Sequence, residues 1–411
     1  MQRFLKLLAT LLPLSLLAAP ALAQARWGLG GRVDATFGVA VDGALPVAAA
    51  ELELRATGEV GAGLFPDASF TAALLGGYDA ATGAATLQLD AAHATLYLEN
   101  LDLTVGKQRV TWGSTDGVNP VDVLNPRDLG FPPENRKIAV PMLHARYYAK
   151  SDLRLEAALV PVFTPSTQPG AAWRPQLSPP LPPGASIVQQ LPPQEQRPAA
   201  ELGNLQFGVR ATALLGAFDV SATYFHGFKT EPTATARLEP TGVPGQFRLQ
   251  PLLDYDRIDL LGLDFSGMVG DFVLRGEAAY TFTGDPAGVL AGVGNHSAQA
   301  VLGGEYLFPS GPRTVLQAIF DYVAADEGGS ADLNLKFMTG LAYQVGARTQ
   351  LDLGWLQNVD GSGALLPTAS YTFADGVVGR VSAYVFYGAD GTEFGGWREN
   401  AQLRLAVEYL F

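Results

Sequence analysis

The side chains with most to offer chemically are charged residues set singly among apolar ones. Arg109, Arg146, Arg154 and Arg210 lie on successive segments; the last three are opposite in parity to their apolar neighbours, and Arg109 alternates with Val110 and Trp112, with Lys107 two residues before it. Glu51 and Glu53 hold the same parity in an earlier segment. Guanidinium groups facing carboxylates across a narrow aqueous passage make a transverse field, which orients polar solutes and sets ion preference. The other reading is a wall of mutually satisfied charges, with Arg154 beside Glu156, Arg275 beside Glu277 and Arg404 near Glu408 as same-face pairs. Gly106 is a position where a bulge would turn Lys107 and Arg109 to the opposite face.

A second set lies in residues 113–140. Asp116, Asn119, Asp122, Asn125 and Asp128 recur at every third position, and Asn119-Pro120-Val121-Asp122 is echoed by Asn125-Pro126-Arg127-Asp128. Asn before a Pro in the first helical position predicts two short capped helical turns, and so a loop that folds on itself and can narrow a lumen. The same oxygens invite calcium, but the spacing lacks the alternate-residue register and the final Glu of a calcium loop. No metal or other cofactor is expected. The four histidines, His93, His144, His226 and His296, are widely scattered, and neither G-x-S-x-G nor H-E-x-x-H occurs. With no cysteine in the chain, thiolate chemistry and disulfides are excluded and no enzyme is expected.

Strands must position these residues. Leu403, Leu405, Val407, Tyr409 and Phe411 alternate with Gln402, Arg404 and Glu408, and the same period of two recurs around Leu333–Val345 and Phe272–Phe282. The runs are about ten to thirteen residues long, which suits a tilted membrane-crossing strand. Short turns near 99–101, 149–152, 215–217, 269–271, 309–312, 345–347 and 374–376 alternate with longer segments at 113–140, 162–203, 229–256, 284–296, 324–332 and 389–398. Tight turns at one end and long loops at the other predict an all-β fold, a transmembrane antiparallel barrel of about 18 strands, with 16 as the alternative. The fifth strand is expected over 101–112 and the last over 399–411. Residues 233–251 can add a hairpin inside an outer loop. A barrel of this width cannot be filled by its own wall side chains, so it holds a channel, a plug or both.

The N-terminus carries an address. Arg3 and Lys6 precede an apolar run from Leu7 to Ala19 and a small-x-small site at Ala21-Leu22-Ala23, so residues 1–23 are expected to be a signal peptide and 24–411 the barrel. Removing that segment takes two cations and no anions from a chain of net charge −13, which argues against nucleic acid as a partner. An apolar content of 48% excludes disorder, and no G-X-Y repeat accompanies the 47 glycines. The terminal Phe411 with Tyr409 fits the signal read by outer-membrane assembly machinery. The other expected partners are outer-membrane lipid, lipopolysaccharide and small solutes, with a monomer or a trimer as the assembly.

Residues 161–198 contain eleven prolines and few charges, which interrupts the wall and makes a loop with polyproline character. Together with 113–140, the loop at 161–203 is a candidate constriction or plug. Gly106-Lys107-Gln108-Arg109-Val110-Thr111-Trp112-Gly113, then Gly117-Val118-Asn119-Pro120-Val121-Asp122 and Asn125-Pro126, resemble a signature of poorly characterised Gram-negative outer-membrane porins. That group is similar in pattern to the alginate-export porins, with Lys107 standing where those have Arg, and Pro161-Val162-Phe163-Thr164-Pro165 resembles the segment closing their next hairpin. The resemblance implies an outer-membrane channel for passive or selective passage of small polar or organic solutes. Its alternatives are an export channel and a non-conducting envelope protein.

Overall fold

A computed structural model describes residues 26–41, 43, 47–61, 67–80, 82–130, 135–174, 179, 181–290, 292–325 and 329–411, and the expected signal segment 1–23 lies outside them. Eighteen antiparallel strands form one sheet. The first, Arg26–Ala40, pairs with the last, Gln402–Leu410, setting Val33 opposite Tyr409 and Val39 opposite Leu403. At that seam Gly31 N–H donates to the Phe411 carbonyl at 2.9 Å and Phe411 N–H returns a bond to the Gly31 carbonyl at 3.1 Å. The sheet therefore closes and leaves no edge.

Alternation decides what each face carries. Leu403, Leu405, Val407 and Tyr409 are about half exposed on the outer surface, whereas Gln402 and Arg404 on the opposite parity are buried. Leu87, Val105, Leu261, Leu263, Leu302 and Leu316 continue the apolar outer face around the ring. Aromatic pairs border it at both ends: Phe272 with Tyr306 and Tyr371 with Phe373 near the short turns, Tyr280 with Phe282 near the long loops. An apolar belt flanked by aromatic girdles suits hydrocarbon between two interfaces, and in water it would aggregate.

The two ends differ as the sequence predicts. Several short turns close on glycines in the left-handed region, among them Gly216 at φ 66° and Gly270 at φ 60°. At the far end, strands Thr233–Pro240 and Gln246–Asp254 form the expected extra hairpin. Ser186–Gln190 and Gln194–Gln196, from the proline-rich segment, add to that hairpin in parallel.

The fifth strand ends sooner than expected, at Leu101–Gln108. Gly106 has φ 127°, and a Cβ there would sit 2.2 Å from the Ala92 carbonyl oxygen, so glycine is required where the chain prepares to leave the wall. The pairing of Leu101–Lys107 with Ala92–Leu98 nevertheless runs unbroken through Gly106. The bulge lies one strand pair away, between Ala73 and Leu74, and the residue skipped opposite it is Asp90. The main buried cluster is not a layer between sheets. It forms inside the barrel, where Val110, Trp112, Val121 and Leu124 pack on Val140, Met142, Phe225, Ile258 and Leu260.

Candidate functional site: a folded loop and the open side of the lumen

Beyond Gln108 the chain has left the sheet, so its backbone groups need new partners. The residues at every third position supply them. Asn125 Oδ1 accepts from Val110 N–H at 2.8 Å, while Asn125 Nδ2 donates to the carbonyls of Gln108 and Ile138 at 3.0 Å. Asp122 Oδ1 accepts from Trp112 N–H at 3.2 Å, and Asn119 Nδ2 donates to the Trp112 carbonyl at 2.9 Å. Three side chains thus replace a missing neighbour strand along residues 108–112. Of the two predicted capped turns, a backbone turn forms at Asn119–Asp122, where Asp122 N–H donates to the Asn119 carbonyl at 3.3 Å, but neither asparagine caps it, because their side chains bond residues 108–112 and 138 instead.

Cations and wall residues fix the loop in place. Asp122 Oδ2 binds Arg127 Nη2 at 3.0 Å and Lys137 Nζ at 2.6 Å, and burial holds the Lys137 ammonium below its usual pKa against the pull of Asp122. Glu277, on the strand Phe272–Thr283, accepts from the N–H groups of Ser114 and Thr115 at 2.5 and 2.6 Å and from Thr115 Oγ1 at 2.8 Å. It does not pair with Arg275, as its spacing suggests, because Arg275 binds Glu305 at 2.8 Å and Asp116 at 3.0 Å. Two wall glycines make room for the loop: a Cβ on Gly208 would lie 2.7 Å from the Trp112 ring, and one on Gly262 would lie 2.5 Å from Val121 Cγ1. The carboxylate of Asp128 takes Thr167 Oγ1 at 2.6 Å and Gly130 N–H at 3.1 Å.

The sequence-selected cations lie in different surroundings. Arg210 is buried, donating to Asp264 and Ser221 at 2.8 and 2.9 Å. Arg154 and Arg146 converge on Glu156 at 3.1 and 3.6 Å, with His144 at 3.1 Å on the same carboxylate. Arg109 pairs with the bulged Asp90 and donates to the Lys137 carbonyl at 2.6 Å. Lys107 shares the parity of exposed Val105 and its ammonium reaches the Leu89 carbonyl beside the bulge. Arg404 bonds Gln402, and Glu408 takes Arg380 at 3.0 Å. Glu53 pairs with Arg55 at 2.6 Å, and Glu51 with Arg136 at 3.1 Å.

The loop therefore packs on one side of the lumen and stands clear of the strands at the seam. A cavity of about 600 Å³ lies between the loop and the wall at Ile258, Ala279 and Gln299, and two more lie along the strands that flank the seam. One, of about 650 Å³, is lined by Gly28, Gly30, Arg32, Arg55, Asp90, Arg109 and Arg136. The other, of about 360 Å³, is lined by Arg32, Asp34, Glu51, Asp128, Arg136, Ser382 and Arg404. Arg32 and Arg136 belong to both. Arg32 was within reach of sequence reasoning, since it alternates with Trp27, Leu29 and Val33 on the first strand. Arg136, in an irregular segment, carried no such signal, and neither did Gly208 or Gly262.

Above the loop, the proline-rich segment crosses the mouth. Phe163 packs on Phe228 and Tyr255, and Ser166 and Thr167 bond the backbone of Arg127 and Leu129. Trp173 then meets Phe386 and Trp397 on the far side of the ring, where Asn400 Nδ2 donates to the Ala172 carbonyl at 2.8 Å. The strap is thus pinned on Phe228 and Tyr255, on the inward loop and at Phe386.

A family model described as "Protein of unknown function (DUF1302)" matches residues 93–378. No curated protein matches the chain. Among solved structures, it is similar to Salmonella typhi OmpF in complex with daunomycin, at 11% identity over 94% of this chain and 98% of that one, with a TM-score of 0.48. Mutants of the Rhodopseudomonas blastica porin are similar at 14% identity, over 94% of this chain and 100% of theirs, with a TM-score of 0.42.

Proposed function

The chain belongs to the DUF1302 family of proteins of unknown function, and we propose that it acts as an outer-membrane channel through which small polar or organic solutes diffuse. The observation that carries this reading is the unequal filling of the barrel. Residues 109–128 pack on one side of the lumen, while cavities with charged linings remain between that loop and the strands at the seam, and a further one between the loop and the wall at Ile258 and Gln299. An apolar outer face with polar, unfilled space inside is what a water-filled pore needs. The likeness of residues 101–165 to alginate-export porins supports an outer-membrane role and keeps export as an alternative direction.

The strap favours a second reading, a barrel closed at rest, because Trp173 bridges to the opposite wall. Swelling of liposomes carrying the refolded protein, with neutral and charged solutes of rising size, separates the two. A channel gives swelling rates that fall steeply with solute size. A closed barrel gives none until the strap is released, and the absence of swelling even then contradicts the channel.

A further inference from the structure

The open side of the lumen is crossed by a chain of ion pairs. From the inward loop, Arg136 Nη1 reaches Glu51 Oε2 at 3.1 Å, and the same oxygen lies 3.6 Å from Arg32 Nη2. Arg32 Nη1 continues to Glu408 at 3.7 Å, and Glu408 takes Arg380 at 3.0 Å. Because Arg32 and Arg136 line both cavities, this chain stands between them. We propose that it is a binding station for small organic anions, at which a solute carboxylate takes the place of Glu51 on Arg32 and Arg136. The inference rests on the channel reading above and names the solute class for it.

Three features point to carboxylates. The first is incomplete satisfaction: both contacts of Arg32 exceed hydrogen-bond length, so its planar donors remain available for a bidentate partner. The second is sign. The larger cavity sets four arginines against Glu53 and Asp90, in a chain whose net charge is −13. The excess of guanidinium over carboxylate in that cavity, within an acidic protein, concentrates anions there. The third is space and mobility. Gly28 and Gly30 bare the wall below Arg32, leaving room for an organic body, and Glu51 is a third exposed, so its carboxylate can turn to water when displaced. Nothing covalent changes in this exchange; one carboxylate replaces another on the same guanidinium groups.

The test is the reversal potential of refolded full-length protein in a planar bilayer under a potassium chloride gradient, followed by addition of sodium benzoate or benzylammonium chloride. The wild type is expected to prefer chloride and to show current block by millimolar benzoate but not by benzylammonium. Arg32→Gln with Arg136→Gln should lower the chloride-to-potassium permeability ratio several-fold and abolish block, whereas Glu51→Gln should raise that ratio. The benzoate comparison needs no variant, so misfolding of the double variant does not remove the test. Equal block by both aromatic ions, or a cation-preferring wild type, overturns the carboxylate station while leaving a channel. Absence of conductance in the wild type and in Glu51→Gln overturns both.

Discussion

At the scale of single residues, the periodic Asn and Asp residues act as surrogate backbone. The side chain of Asn125 satisfies groups on Gln108, Val110 and Ile138, and it is itself buried. Asn125→Ala removes all three bonds, and each buried group left unpaired costs about 1–3 kcal/mol. Asn125→Asp keeps the acceptor for Val110 but sets a carboxylate against two carbonyls, so it should destabilise at least as much. Urea unfolding of both variants in lipid vesicles checks the expectation, and a midpoint unchanged in both would remove Asn125 from the account. The spacing of these residues is legible in the sequence, but its meaning is not. Capping and strand surrogacy both use side-chain oxygens on backbone N–H groups, and the N–H partners here lie ten and fifteen residues away. Gly208 and Gly262 are illegible for a different reason, since only the arrival of Trp112 and Val121 gives their missing Cβ atoms a purpose.

At the scale of elements, the strands are the most legible part of the chain. An antiparallel wall with lipid-like and aqueous faces enforces a period of two on every strand. That regularity fails at residues 109–112, where the alternation of buried and exposed side chains continues after the strand has ended at Gln108. The proline-rich segment is legible as a break in the wall but not as a strap, since its course depends on Trp173 finding Phe386 and Trp397. Trp173→Ala should free that crossing and raise mean conductance with more frequent open events; an unchanged record would show that the strap does not limit passage. Near its return the strap is also tied by Glu195, which accepts from the Tyr255 hydroxyl and pairs with Arg197 at 2.6 Å. Arg197, followed by the Tyr255 hydroxyl, holds the Glu195 carboxyl below the usual carboxylate range, so this tie stands above an unfolded pKa of about 4.3 and weakens as pH falls through the lower folded value. Limited proteolysis of the strap should therefore accelerate between neutral pH and pH 3 in wild type, with a smaller change in Glu195→Gln.

At the scale of the whole molecule, the barrel is asymmetric in two directions. Along its axis, tight turns oppose long loops, an arrangement readable from the sequence as alternating short and long connections. Across its axis, one side carries the inward loop, seated on Glu277, Gly208 and Gly262, and the side at the seam stays open. This second asymmetry is not written in any local pattern, because it arises from where a single loop comes to rest. Passage of solutes along the open side is readable by cysteine accessibility, because the chain has no cysteine of its own. Ala406 lines the open side, whereas Ser221 is buried against Arg210 on the packed side. With a charged, membrane-impermeant thiol reagent added to the aqueous phase, the single-channel conductance of Ala406→Cys should fall several-fold while that of Ser221→Cys stays constant. Block at Ser221→Cys with none at Ala406→Cys would place the passage on the other side and contradict the account.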